Sequence, residues 1–193
     1  MVQDLCAVLT VKTDRKVNRQ DPPLVLTGKT LRKLKALMKI QNGRPLFLTW
    51  MLAKDLRLKE PEDTDPGGIR VDMKSRDNPD GYQREVSETR ANAFGRYIGK
   101  AGGISPTAIL LSLRTSVSVG AESKKDIPRF DVEDKDSGYG TLSIPDDIPL
   151  WLVDGQHRVL GMNALVEDKK FQDYEQFPLA TVIMPTSVGG DTK

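Results

Sequence analysis

One cysteine, Cys6, and one histidine, His157, are present among 193 residues. A lone cysteine excludes an internal disulfide and a cysteine-based zinc site, and it suits a reducing, cytoplasmic compartment. Cys6 lies in the apolar run 5–9, where a thiol serves as a small buried hydrophobe. Charge of one sign is scarce too: 29 Lys and Arg against 27 Asp and Glu leave a formal net charge of +2. That excludes a global attraction to nucleic acid, so any DNA contact has to come from a local patch. Apolar runs fall short of the roughly 20 residues that cross a bilayer, so no membrane partner is expected. The first residues carry no signal-peptide pattern, and there is no internal repeat.

What is present is the composition of one soluble domain, 29% charged and 38% hydrophobic, long enough to bury a sizeable core. Residues 5–11 read as a first strand. Gly28-Lys29-Thr30 imitates the end of a phosphate loop, but Pro23 stands where that loop needs a glycine. The spacing of Leu31, Leu34, Leu37 and Met38 predicts a helix from Thr27 or Thr30 to about Gln41, ended by Gly43 and made basic by Lys29, Arg32, Lys33, Lys35 and Lys39. A strand is expected at 45–51 and a loop or short hairpin at 59–80. A helix follows, capped by Ser87 and ended at Gly99, with Ala93, Phe94, Tyr97 and Ile98 as its buried stripe. The run 105–114 has the strongest central-strand signal. Residues 115–139 read as a polar loop insertion, 140–153 as a hairpin, and 177–184 as a last strand before a polar tail.

The stretch 150–162 organises the rest. Leu150-Trp151-Leu152-Val153 reads as a buried strand, Asp154-Gly155 as a tight turn, and the run from Val159 as a helix with Val159, Leu160, Ala164 and Leu165 inward. Strand, glycine and helix N-terminus in succession make an anion site, because the first helical N–H groups lack partners and the helix dipole places positive charge there. Arg158 adds a fork of donors suited to phosphate and His157 a donor or a titrating group. The alternative has Asp154 capping the helix and His157 and Arg158 on a solvated surface.

Asp154-Gly155-Gln156-His157-Arg158 resembles the signature of the DGQHR-domain proteins, the DndB- and DpdB-like family of bacterial DNA-modification proteins, distant relatives of the ParB/sulfiredoxin superfamily. Gln83-Arg84 with Arg90 is similar to that family's Gln-Arg … Arg box, and residues 43–51 resemble its N-terminal part. The resemblance implies an α+β fold, a small mixed β-sheet flanked by helices of the ParB/sulfiredoxin kind. Gln83, Arg84 and Arg90 would face the glycine turn and, with Gly155, Gln156, His157 and Arg158, hold the phosphates of ATP or another nucleoside triphosphate with Mg²⁺. Asp154, His157 and Arg158 are its candidates for hydrolysis, with Asp154 holding Mg²⁺ through water or orienting the attacking water. Gln156 stands where sulfiredoxins carry a cysteine nucleophile, which excludes their reductase chemistry. Implied partners are DNA and other DNA-modification proteins, in a defence system such as phosphorothioation. DGQHR proteins usually run past this length, so a compact variant or an N-terminal fragment is expected. The rival expectation is a DNA-binding regulator without catalysis that uses the basic stretch 29–39. A ParB-like nuclease ranks last, since no metal cluster is apparent in the sequence.

Overall fold

The computed structural model describes residues 30–59, 68–72, 86–120 and 128–188. The predictions at 5–11, 27–29, 83–84 and 189–193 lie outside them. The described chain runs through strands β1 (Leu31–Gln41), β2 (Arg44–Leu52) and β3 (Ile69–Val71) to helix α1 (Glu88–Ile98). Strands β4 (Ile109–Val119), β5 (Arg129–Asp134), β6 (Tyr139–Pro145) and β7 (Leu150–Asp154) follow, then helix α2 (Gln156–Glu167) and strand β8 (Pro178–Val188). Short 3-10 segments span Ala53–Leu56 and Lys169–Gln176. The fold is thus α+β with one mixed eight-stranded sheet, as expected.

The basic helix predicted to end near Gln41 is a strand. Leu31, Leu34, Leu37 and Met38 lie on one helical stripe but divide between the two faces of a strand. In the strand, Leu34, Ala36 and Met38 turn to the core, and Lys33, Lys35 and Lys39 are exposed. The turn decides between the two: Asn42 and Gly43 both have positive φ, 48° and 74°. Such a pair closes a two-residue hairpin whose twist matches the strands it joins. β1 and β2 accordingly pair antiparallel from Gln41↔Arg44 to Ala36↔Thr49. Gly43→Ala is expected to cost about 1 kcal/mol, from the left-handed backbone alone because nothing crowds a Cβ there. Urea unfolding of the variant checks it.

The sheet folds back on itself. β8 pairs with β2 on one edge and with β4 on the other, so that β4, β5, β6, β1, β2 and β8 form a closed ring. Rows of residues follow from that register. Phe47, Ile183 and Leu111 are side by side and fully buried, and the Phe47 ring packs on Phe130 at 5.0 Å. The next row, Leu48, Val182 and Leu110, points the other way. β7 pairs with the first part of β4 and carries β3 at its far edge. Arg114 lies over the Trp151 ring at 3.7 Å and binds Asp72 at 2.5 Å, which fastens β3 to β4 across β7.

Five further expectations change. The stretch 115–139 holds the end of β4 and all of β5, with residues 121–127 outside the described part, and 59–80 contains β3. β6 and β7 are consecutive but do not form a hairpin: β6 lies between β5 and β1, and β7 between β3 and β4. The inward face of α1 is Ala91, Gly95 and Ile98, with Ala93 and Tyr97 exposed. In α2, Gly161 and Met162 are buried and Ala164 is exposed. Both helices are rotated from the most apolar stripe because they cross glycine on glycine. A Cβ on Gly95 would sit 2.5 Å from the Gly161 carbonyl oxygen, and one on Gly161 would overlap that of Ala91.

Candidate functional site

β7 delivers the chain to Gly155, whose φ of 101° places it in the left-handed region that side chains disfavour. A Cβ at that position would come within 2.7 Å of Ile109 Cδ1 and 3.2 Å of Arg158 Nη2. Glycine makes this turn without backbone strain and without displacing the side-chain tips of Ile109 and Arg158. Gly155 is the N-cap of α2, its carbonyl accepts from the N–H groups of Arg158 and Val159, and no side chain caps the helix. Asp154 is therefore not the cap. Its carboxylate, 74% exposed, faces Arg158 at 3.3 Å.

Arg158 turns inward and is only 16% exposed. Nη1 donates to the Thr107 carbonyl at 2.5 Å and to the Thr107 hydroxyl at 2.6 Å, while Nη2 reaches Asp154. Burial pulls the guanidinium below its ordinary pKa, and the Asp154 charge acts in the opposite direction. The arginine expected to grip a ligand thus ties α2 to the loop that starts β4. Thr107 lies in the segment leading into the central strand. The sequence signal that could have found it is a hydroxyl at the mouth of the strand neighbouring the signature turn.

His157 is half-buried, and its Nε2 accepts from the backbone N–H of Ser87 at 3.2 Å. Ser87 is the N-cap of α1, and its hydroxyl accepts in turn from the Arg90 N–H. One imidazole therefore joins the first turns of α1 and α2, and two positive helix ends converge at the signature. Ser87 was legible as a cap but not as part of the site. A helix N-cap and a signature histidine 70 residues apart share no local pattern.

Arg90, on the first turn of α1, is exposed, and its guanidinium forms no hydrogen bond or ion pair among the described residues. Gln156 is buried at 8% exposure and bonded. Gln83 and Arg84 lie outside the described residues. The signature thus brings Asp154, Gly155, His157, Arg158, Ser87 and Thr107 together at the α1–α2 junction. No group of three or more His, Cys, Asp or Glu able to hold a metal occurs among the described residues. No described helix is long and apolar enough to cross a membrane.

The basic stretch behind the DNA-binding alternative lies elsewhere. Lys35 binds Glu133 at 2.5 Å, and Lys39 donates to the Ser137 carbonyl at 2.9 Å. Comparison with curated proteins and with solved structures finds no match. The sequence pattern of one family, DndB, described as DNA-sulfur modification-associated, matches residues 34–187.

Proposed function

The chain belongs to the DndB family of DNA-sulfur modification-associated proteins, and from that premise we propose that it is a nucleotide-binding accessory protein of such a system, acting with DNA and with the other proteins of DNA modification. The observation that carries the reading is the Ser87–His157 hydrogen bond. It holds two helix N-termini at one point, and Gly155 leaves the second without a side-chain cap. Converging N-termini favour an anion, and a triphosphate is the anion that a strand–glycine–helix turn suits best. Arg90, exposed on the α1 side, supplies the mobile charge that closes over it. The relation to ParB and sulfiredoxin turns belongs to the same proposal.

The reading is of binding rather than hydrolysis. His157 Nε2 is taken by the Ser87 N–H and the Arg158 fork by Thr107 and Asp154, so neither has that end free for proton transfer or charge stabilisation. Arg158 is also a poor probe of binding, because its removal disturbs the fold. Calorimetric titration of ATP, CTP and GTP with Mg²⁺ should therefore compare the wild type with Arg90→Ala. Saturable binding is expected, weakened about tenfold or more in the variant, which is the worth of one charged contact to phosphate. Absence of saturable binding by the folded wild type would sink the proposal.

A further inference from the structure

A concavity of about 400 Å³ lies on the outer face of β1, β6 and β5, bordered by Lys33, Lys35, Arg129, Asp131, Thr141 and Ser143. The register sets its centre. Lys33 on β1 and Arg129 on β5 are the direct Cα partners of Ser143, one on each side. Opposed side chains on neighbouring strands start about 5 Å apart. Two cations therefore straddle one hydroxyl.

That hydroxyl is anomalous. Ser143 is 2% exposed, and its Oγ has no hydrogen-bond partner among the described residues. Leaving a buried hydroxyl unpaired costs about 1–3 kcal/mol. An alanine here would avoid that cost, and strand residues around it satisfy theirs. Thr141, one row along on the same face, donates to Glu133 at 2.5 Å.

The acids of the concavity are already engaged. Glu133 accepts from Lys35 and Thr141, and these hydrogen bonds hold its carboxyl below the usual range. Asp131 faces Arg129 Nε at 3.0 Å, which leaves the terminal nitrogens of that guanidinium as the fork. The Lys33 ammonium makes no ion pair among the described residues. The Lys35 row is closed by its own partners, and the Lys33 row is open.

We propose that the Lys33–Ser143–Arg129 row binds a phosphate group, with the Ser143 hydroxyl donating to one oxygen and the two cations clasping the others. The long side chains on either side shift outward as the phosphate enters, and the unpaired hydroxyl gains its acceptor. This site is separate from the glycine turn and does not depend on nucleotide binding there. Phosphate chemistry is shared by a free phosphate ion and by the backbone of DNA, so both are used as probes.

The experiment follows backbone amide shifts of the ¹⁵N-labelled chain during titration with inorganic phosphate, and separately with a mixed-sequence DNA duplex, at matched ionic strength. Saturable shifts at Lys33, Arg129 and Ser143 are expected. Lys33→Gln and Ser143→Ala should each weaken them about three- to tenfold, the range of a single charged or polar hydrogen bond. Saturation by inorganic phosphate identifies a small-ligand site. Saturation by the duplex alone, with affinity falling as salt rises, identifies the same row as a backbone contact. No saturation with either probe, or shifts unchanged in the folded Lys33→Gln and Ser143→Ala variants, would overturn the proposal.

Discussion

Gly161→Ala is expected to lower the melting temperature by roughly 6–12 °C, a loss of about 3 kcal/mol for a domain of this size. The sign is informative because helix propensity points the other way, with alanine favoured over glycine by about 1 kcal/mol inside a helix. Packing overrides it. The new methyl group meets the Ala91 carbonyl oxygen and stands 3.0 Å from the Gly95 nitrogen, both backbone atoms that cannot rotate aside. Overpacking a fixed contact of this kind costs about 1–3 kcal/mol, and separating two helices that share a buried face adds to it. An exposed position supplies the contrast: Ala93→Gly in α1 should lose only the propensity term of about 1 kcal/mol. Thermal unfolding followed by circular dichroism measures both. A Gly161→Ala protein that melts at or above the wild-type temperature would show that α1 and α2 are not held by this contact.

Arg158→Ala is expected to cost about 2–3 kcal/mol in urea unfolding, seen as a lower midpoint at unchanged slope. The change removes two donors from Thr107 and one from Asp154, and it leaves the Thr107 carbonyl without the guanidinium that it accepts from. Hydrogen bonds to a charged donor are each worth about 1.5–3 kcal/mol, and part of that returns through water at a site that is not sealed. Arg158→Lys should recover less than half, because an ammonium is a single point and cannot bridge the Thr107 carbonyl, its hydroxyl and a carboxylate together. Asp154→Asn should change stability by less than about 0.5 kcal/mol, since that carboxylate is largely solvated and the pair is long. Equal midpoints for wild type and Arg158→Ala would show that the arginine is not a fastener.

These outcomes bear on how far the sequence could be read. The strand–glycine–helix turn was legible because its information is local: four apolar residues, then Gly155, then an apolar helical run. The cap of α1 was legible for the same reason, with Ser87 placed before the helix. β1 was not legible because Leu31, Leu34, Leu37 and Met38 follow the helical period while dividing between the two faces of the strand, and a glycine such as Gly43 ends a helix as readily as it closes a hairpin. The burial of Arg158 was not legible at all. It depends on Thr107, 51 residues earlier, arriving at the mouth of β4. The faces of α1 and α2 were likewise set by a meeting of two glycines 66 positions apart in sequence, which hydrophobic periodicity does not register.

The pairing of β8 on both edges also governs the time course of folding. β1–β2 and β5–β6 can zip through short connections, whereas β6 reaches β1 across more than a hundred residues and the ring stays open until Pro178–Val188 slots between β2 and β4. That step joins segments more than a hundred residues apart along β2, so its loop-closure entropy is met before any of its contacts form. During synthesis the apolar inner residues of β2 and β4 are exposed until the chain has emerged past β8. Refolding is accordingly expected in milliseconds to seconds rather than microseconds, with β8 docking as the event that commits the molecule.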